Sequence, residues 1–103
     1  MADWIVSGPF EVPVDTLPSG GHFIDEPRLS EFAEESKEFD KPGVYVFGLR
    51  SRGTLPIYVG KTESQTLFRE AFKNDKLQKI NKYINEHPHG SLLIYLVTQG
   101  HLE

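Results

Sequence analysis

The chain has 103 residues, 38% of them apolar and 12% aromatic, enough for one modest core and too few for two. It contains no cysteine, which excludes disulfides, thiolate metal sites and a cysteine nucleophile. The formal net charge of -4 hides a split: residues 1–41 hold ten acidic against three basic side chains, whereas residues 42–103 hold five against eight.

No apolar run approaches the roughly 18 residues of a membrane span, and the N-terminus lacks the basic-then-apolar pattern of a secretory signal. The expected location is cytoplasmic, with no membrane partner. The basic second part leans toward nucleic acid.

Residues 1–41 read as an acidic extension packed on the core. Pro9, Pro13, Pro18 and a Gly-Gly pair exclude a long helix at its start, and "FEVPV" suits an edge strand, where proline is tolerated. Trp4, Phe10 and Phe23 are expected as packing anchors. "DEPRLSEFAEESKEF" then predicts a helix with Leu29, Phe32, Ala33 and Phe39 near one stripe and an acidic outer face.

From Pro42 the pattern changes. "GVYVFGL" and "LPIYVG" are short, β-branched and aromatic, and they bracket the polar loop "RSRGT", which predicts a hairpin. Leu67, Phe68, Ala71 and Phe72 follow at helical spacing, with Thr62 or Ser64 as the cap. Asn74-Asp75 starts a second helix with Leu77, Ile80 and Ile84 inward and Lys76, Lys79 and Lys82 largely outward. His87-Pro88-His89-Gly90 ends it as a cap and turn, and "SLLIYLVT" predicts a central strand covered on both faces. Residues 42–103 are thus α+β, ordered strand-strand-helix-helix-strand.

Gly60-Lys61-Thr62 suggests a phosphate-cradling nucleotide loop, but G-x-x-x-x-G-K-[ST] needs a glycine at position 55, which is leucine. Residues 53–58 also read as turn and strand, leaving no loop to wrap a phosphate. The two tyrosines need another account. A phenol titrates near 10 and serves as a base only where cations stabilise its anion, for which Lys61 and Arg69 are candidates. Packing of both rings beneath a helix is the alternative that the pair alone allows.

Gly43-Val44-Tyr45, twelve residues, Tyr58-Val59-Gly60, Lys61-Thr62 and a helix carrying Arg69 occur here in an order that resembles the GIY-YIG nuclease superfamily. The resemblance covers about residues 42–98. It implies a three-stranded antiparallel sheet flanked by helices, and hydrolysis of DNA phosphodiesters with one divalent metal, Mg2+ or Mn2+. By position, it makes Tyr58 the base or relay that activates water, and Tyr45 its hydrogen-bonding support. Arg69 would stabilise the phosphorane, Gly60 would leave room for the phosphate, and Lys61 would add positive field. Lys73, Lys76 and Lys79 would become a track for the DNA backbone.

Arg69 sits about one residue later than is commonest in the family, and Lys73 stands where relatives often carry a histidine or another polar group. Relatives hold the metal through a glutamate on a helix beyond the third strand. Here the sequence offers only Glu103, early and near the chain end, while Glu70, next to Arg69, is expected to point elsewhere on its helix. Three explanations fit: a chain truncated before the metal-binding helix, a short relative that binds without cutting, or Glu103 as the ligand. The first two imply little or no cleavage by this chain alone, and the competing function is a noncatalytic nucleic-acid- or protein-binding module. The charge split adds one more expectation, that the acidic segment covers the basic face and mimics DNA phosphates.

Overall fold

The computed structural model describes residues 3–87 and 89–100. The tyrosine hairpin forms as expected, from β4 (Gly43–Arg50) and β5 (Thr54–Thr62). Tyr45, Phe47 and Leu49 alternate onto one face of β4 and are buried there, as period-2 geometry dictates. β6 (Ser91–Gln99) pairs antiparallel along the other side of β4, with Leu96 opposite Tyr45, Ile94 opposite Phe47 and Leu92 opposite Leu49. These six side chains make the floor of the core.

The sheet has four strands, not three. β1 (Trp4–Glu11) lies antiparallel on the outer side of β6, giving the order β1-β6-β4-β5. The strand expected over "FEVPV" overlaps β1 only at Phe10 and Glu11; Pro13 lies outside β1, and the proline within it is Pro9. Its proline is accommodated because the register slips between Ser7 and Phe10, so no ladder hydrogen bond depends on the missing N–H of Pro9. Being sandwiched between β1 and β4, β6 is central, which explains its almost continuous apolar run. A second, two-stranded sheet pairs β2 (Val14–Thr16) with β3 (His22–Ile24).

The acidic helix is broken into turns. Residues Glu26–Arg28 form a 3-10 turn, Leu29–Phe32 a single α-helical turn (α1), and Ala33–Glu35 and Lys37–Asp40 further 3-10 turns. Ser36 is extended, and its hydroxyl accepts from the Glu38 N–H at 3.1 Å, capping the last turn. Glu31 and Glu35, like Glu34 and Glu38, would sit one helical turn apart as like charges, which disfavours a continuous helix. The apolar stripe nevertheless survives: Leu29, Phe32 and Phe39 are buried.

The helices that cover the tyrosine face are α2 (Leu67–Ala71) and α3 (Asn74–Glu86). Thr66, rather than Thr62 or Ser64, caps α2, accepting from the Arg69 N–H at 3.2 Å. Thr62 instead holds the preceding turn by accepting from the Gln65 N–H at 3.0 Å. Leu77, Ile80 and Ile84 of α3 point inward as expected.

A chain of rings runs through the core, from Phe10 to Phe39, Phe32, Phe72, Phe47, Tyr45 and Tyr58. Successive centroids lie 5.4 to 6.2 Å apart. Aromatic contacts at these separations add about 0.5–1.5 kcal/mol each beyond area burial. Residues 3–41 thus supply an edge strand and three links of that chain. Phe10 and Phe23 are partly buried, but Trp4 is 66% exposed and anchors nothing among the described residues. Among the described residues, no helix is long and apolar enough to cross a membrane.

Candidate functional site

β4 and β5 bring Tyr45 and Tyr58 onto the same face of the sheet. They are diagonal rather than opposite neighbours, since Tyr45 pairs with Gly60 and Tyr58 with Phe47. The two rings stack with centroids 6.1 Å apart and planes 26° from parallel. Gly60 makes this possible. A side chain there would overlap the ring and hydroxyl of Tyr45, so the glycine's open space is occupied by the first tyrosine. Gly43 answers a similar demand: its φ is +156°, and a Cβ would run into the Val97 carbonyl of β6. Each glycine of the two tripeptides is therefore fixed by local sterics.

Tyr45 is fully buried, and its hydroxyl has no hydrogen-bond partner among the described residues. Burial, reinforced by the neighbouring Tyr58 phenol, pushes the Tyr45 hydroxyl up to about 12. Tyr58 is half-buried and goes the other way. The Lys76 ammonium beside its phenol, helped by Lys79, holds it below its ordinary 10.0. Lys76 Nζ lies 5.4 Å and Lys79 Nζ 5.7 Å from the centre of the Tyr58 ring, within cation–π range. The same contact raises Lys76, stabilising its charged form. Two phenols side by side are thus driven apart in acidity, the outer one toward its anion and the inner one away from it.

This arrangement corrects the outward placement of Lys76. Its side chain is only 15% exposed, laid over Tyr58 and 3.5 Å from Asp75. Lys73 pairs with Glu70 at 2.7 Å. The Glu70 carboxylate also contributes to raising the Tyr45 hydroxyl. Arg69 is exposed on α2 and makes no ion pair among the described residues. The cations that act on the phenols are Lys76 and Lys79 of α3, because a residue next to Glu70 on a helix is turned about a quarter of the circumference away. Lys61 alternates onto the opposite face of β5, where it is 73% exposed and 3.6 Å from Glu63. Lys76 and Lys79 of the lysine stripe meet Tyr58, and Lys61 lies on the opposite face. Lys76 and Lys79 as partners of Tyr58 were accessible to sequence reasoning only as periodicity, i and i+3 on one helix face.

Among the described residues, no group of three or more histidine, aspartate or glutamate side chains could hold a metal ion. The carboxylates nearest the phenols, Glu70 and Asp75, are each engaged with a lysine. Glu103 and His101 lie outside the described residues, as does Pro88 of the His-Pro-His turn. The described residues thus do not by themselves provide a ligand set for the metal that the family resemblance implies. No ion pair among the described residues joins residues 3–40 to Lys73, Lys76, Lys79 or Lys82. No family model, curated protein or solved structure matches the chain.

Proposed function

We propose that the face carrying Tyr58, Lys76 and Lys79 binds the phosphodiester backbone of DNA, as in a GIY-YIG endonuclease domain, and that Tyr58 acts as base or relay for water attack. One observation carries this reading: a half-exposed phenol beside two ammonium groups that make it more acidic than an ordinary tyrosine. Such a group combines a proton acceptor with a site for an anionic oxygen. In the hydrolytic step the Tyr58 phenolate takes a proton from water as the water oxygen bonds to phosphorus, the phosphorus–oxygen bond to the leaving group breaks, and the departing oxyanion takes a proton from solvent.

Lys76 and Lys79 would neutralise phosphate charge, and Lys73 would extend the track once released from Glu70. Arg69, exposed on α2, is proposed to reach a phosphoryl oxygen from the side and stabilise the pentavalent state. Tyr45 keeps the place of Tyr58 by stacking and contacts no solvent itself. Mg2+ or Mn2+, when bound, would supply charge neutralisation at the phosphate, but the described residues offer no ligand set for it. The setting proposed for such a domain is the cytoplasm.

The second reading is a DNA-binding module that keeps this surface without cutting. It is favoured by the complete burial of Tyr45, whose hydroxyl meets no solvent. Cleavage and binding of a labelled duplex, measured with added magnesium or manganese, separate the two. Tyr58→Phe is expected to keep binding and lower any cleavage about 100-fold or more. Lys76→Met is expected to weaken binding and move the pH profile of cleavage upward, since it removes the cation that acidifies Tyr58. Cleavage unaffected by Tyr58→Phe would discard the hydrolytic reading and leave the module.

A further inference from the structure

A second concavity opens on the same side of the sheet, between the tip of the β4–β5 hairpin and the end of α3. It measures about 520 Å³, the size range of small-ligand pockets, and Leu49, Leu55, Arg52, Thr54, His87 and His89 contribute to its lining. Leu49 belongs to the face that carries Tyr45 and Phe47, and is buried. Leu55 is 59% exposed, a large apolar side chain presented to solvent at the wall. The rim combines a guanidinium and two imidazoles, planar groups that stack on nucleobases and hydrogen-bond to their edges. Glu86 and the C-terminal end of α3 bring negative potential to the same place, which favours a base over a phosphate inside.

The hollow is aligned with the tyrosine site. Three strand residues separate Tyr58 from Leu55, about 10 Å along β5. Seven helical residues separate Lys79 from Glu86, also about 10 Å along α3. The two walls therefore lead together from the cationic patch to the hollow, over a distance of about three base steps of duplex. A base held in the duplex stack cannot enter such a hollow; one outside the stack can.

We infer that this hollow receives one unpaired nucleobase of the strand whose backbone crosses Tyr58, so that the preferred substrate class is DNA with a single-stranded or extruded nucleotide beside the bound phosphate. The inference rests on the phosphodiester reading above and adds the form of the substrate. Fluorescence anisotropy of the whole chain with a blunt duplex and with the same duplex carrying a single-stranded tail tests it. The wild type binds the tailed probe about tenfold more tightly, in keeping with the stacking of one base. Leu55→Ser and Arg52→Ala, both at exposed positions, bring the tailed-to-blunt ratio close to one. A wild-type ratio of one, or a ratio untouched by both substitutions, overturns the inference while duplex binding stands. Lys76→Gln distinguishes the underlying reading: if it binds both probes as the wild type does, or if the wild type binds neither, the phosphodiester site falls and the hollow with it.

Discussion

Gly60 and Tyr45 act as one unit at the residue scale. Because the ring occupies the space a side chain would need, Gly60→Ala forces either the ring or the strand to move. Overpacking of that kind costs about 1–3 kcal/mol, which a thermal or denaturant melt will read as a loss of stability. Tyr45 also makes the fold sensitive to alkali. Its hydroxyl titrates at about 12 in the folded chain against 10.0 when exposed, so the unfolded state gives up its proton first as pH rises. The contribution is intact below pH 10 and disappears on the way to about pH 12, a loss of roughly 2–3 kcal/mol at most. Tyr45→Phe should flatten the fall in melting temperature over that interval; an unchanged slope would mean that the buried phenol is not its source. The motif spacing made both tyrosines and both glycines legible, and strand alternation puts Tyr58 and Gly60 on one face, while the pairing of Tyr45 with Gly60 brings the first tyrosine onto it. It did not disclose that Tyr45 is sealed, because the stacked ring of Tyr58 and the lysine side chains of α3 come from other segments.

The elements meet through a few polar clasps. Asn85 of α3 accepts from the His22 N–H and donates to the His22 carbonyl, both at 2.7 Å, and Asn81 accepts from the Ile24 N–H at 2.8 Å. Two asparagines one helical turn apart thus substitute for a third strand beside β3, satisfying backbone groups that would otherwise face the helix. Asn85→Ala removes both bonds to His22, at about 1–2 kcal/mol, and amide exchange should accelerate in β2 and β3 before it does in β4 or β6. Equal acceleration in both sheets would instead indicate one cooperative unit. The order of the core elements was readable from the switch between two-residue and helical periods. The acidic stretch misled because its apolar stripe has helical spacing, while the carboxylate repulsion and the Ser36 cap that break it act locally. β1 was only half visible: its pairing partner β6 is about ninety residues away, and no local pattern encodes such a contact.

For the whole molecule, charge and apolar surface are distributed separately. The helix-covered face of the large sheet carries the tyrosines and lysines, while Val59 and Val6 project from β5 and β1 with 61% and 69% of their surfaces exposed. Trp4 stands at the end of the same edge strand, pairing through its backbone with Gln99. It is the sole tryptophan of the chain, and two-thirds of its surface already meets water in the folded state. Its emission should therefore be long-wavelength and readily quenched by iodide before any denaturant is added, and should shift little on unfolding. Near-ultraviolet circular dichroism of the packed phenylalanines and tyrosines, not indole fluorescence, is the signal that will report on the integrity of this fold.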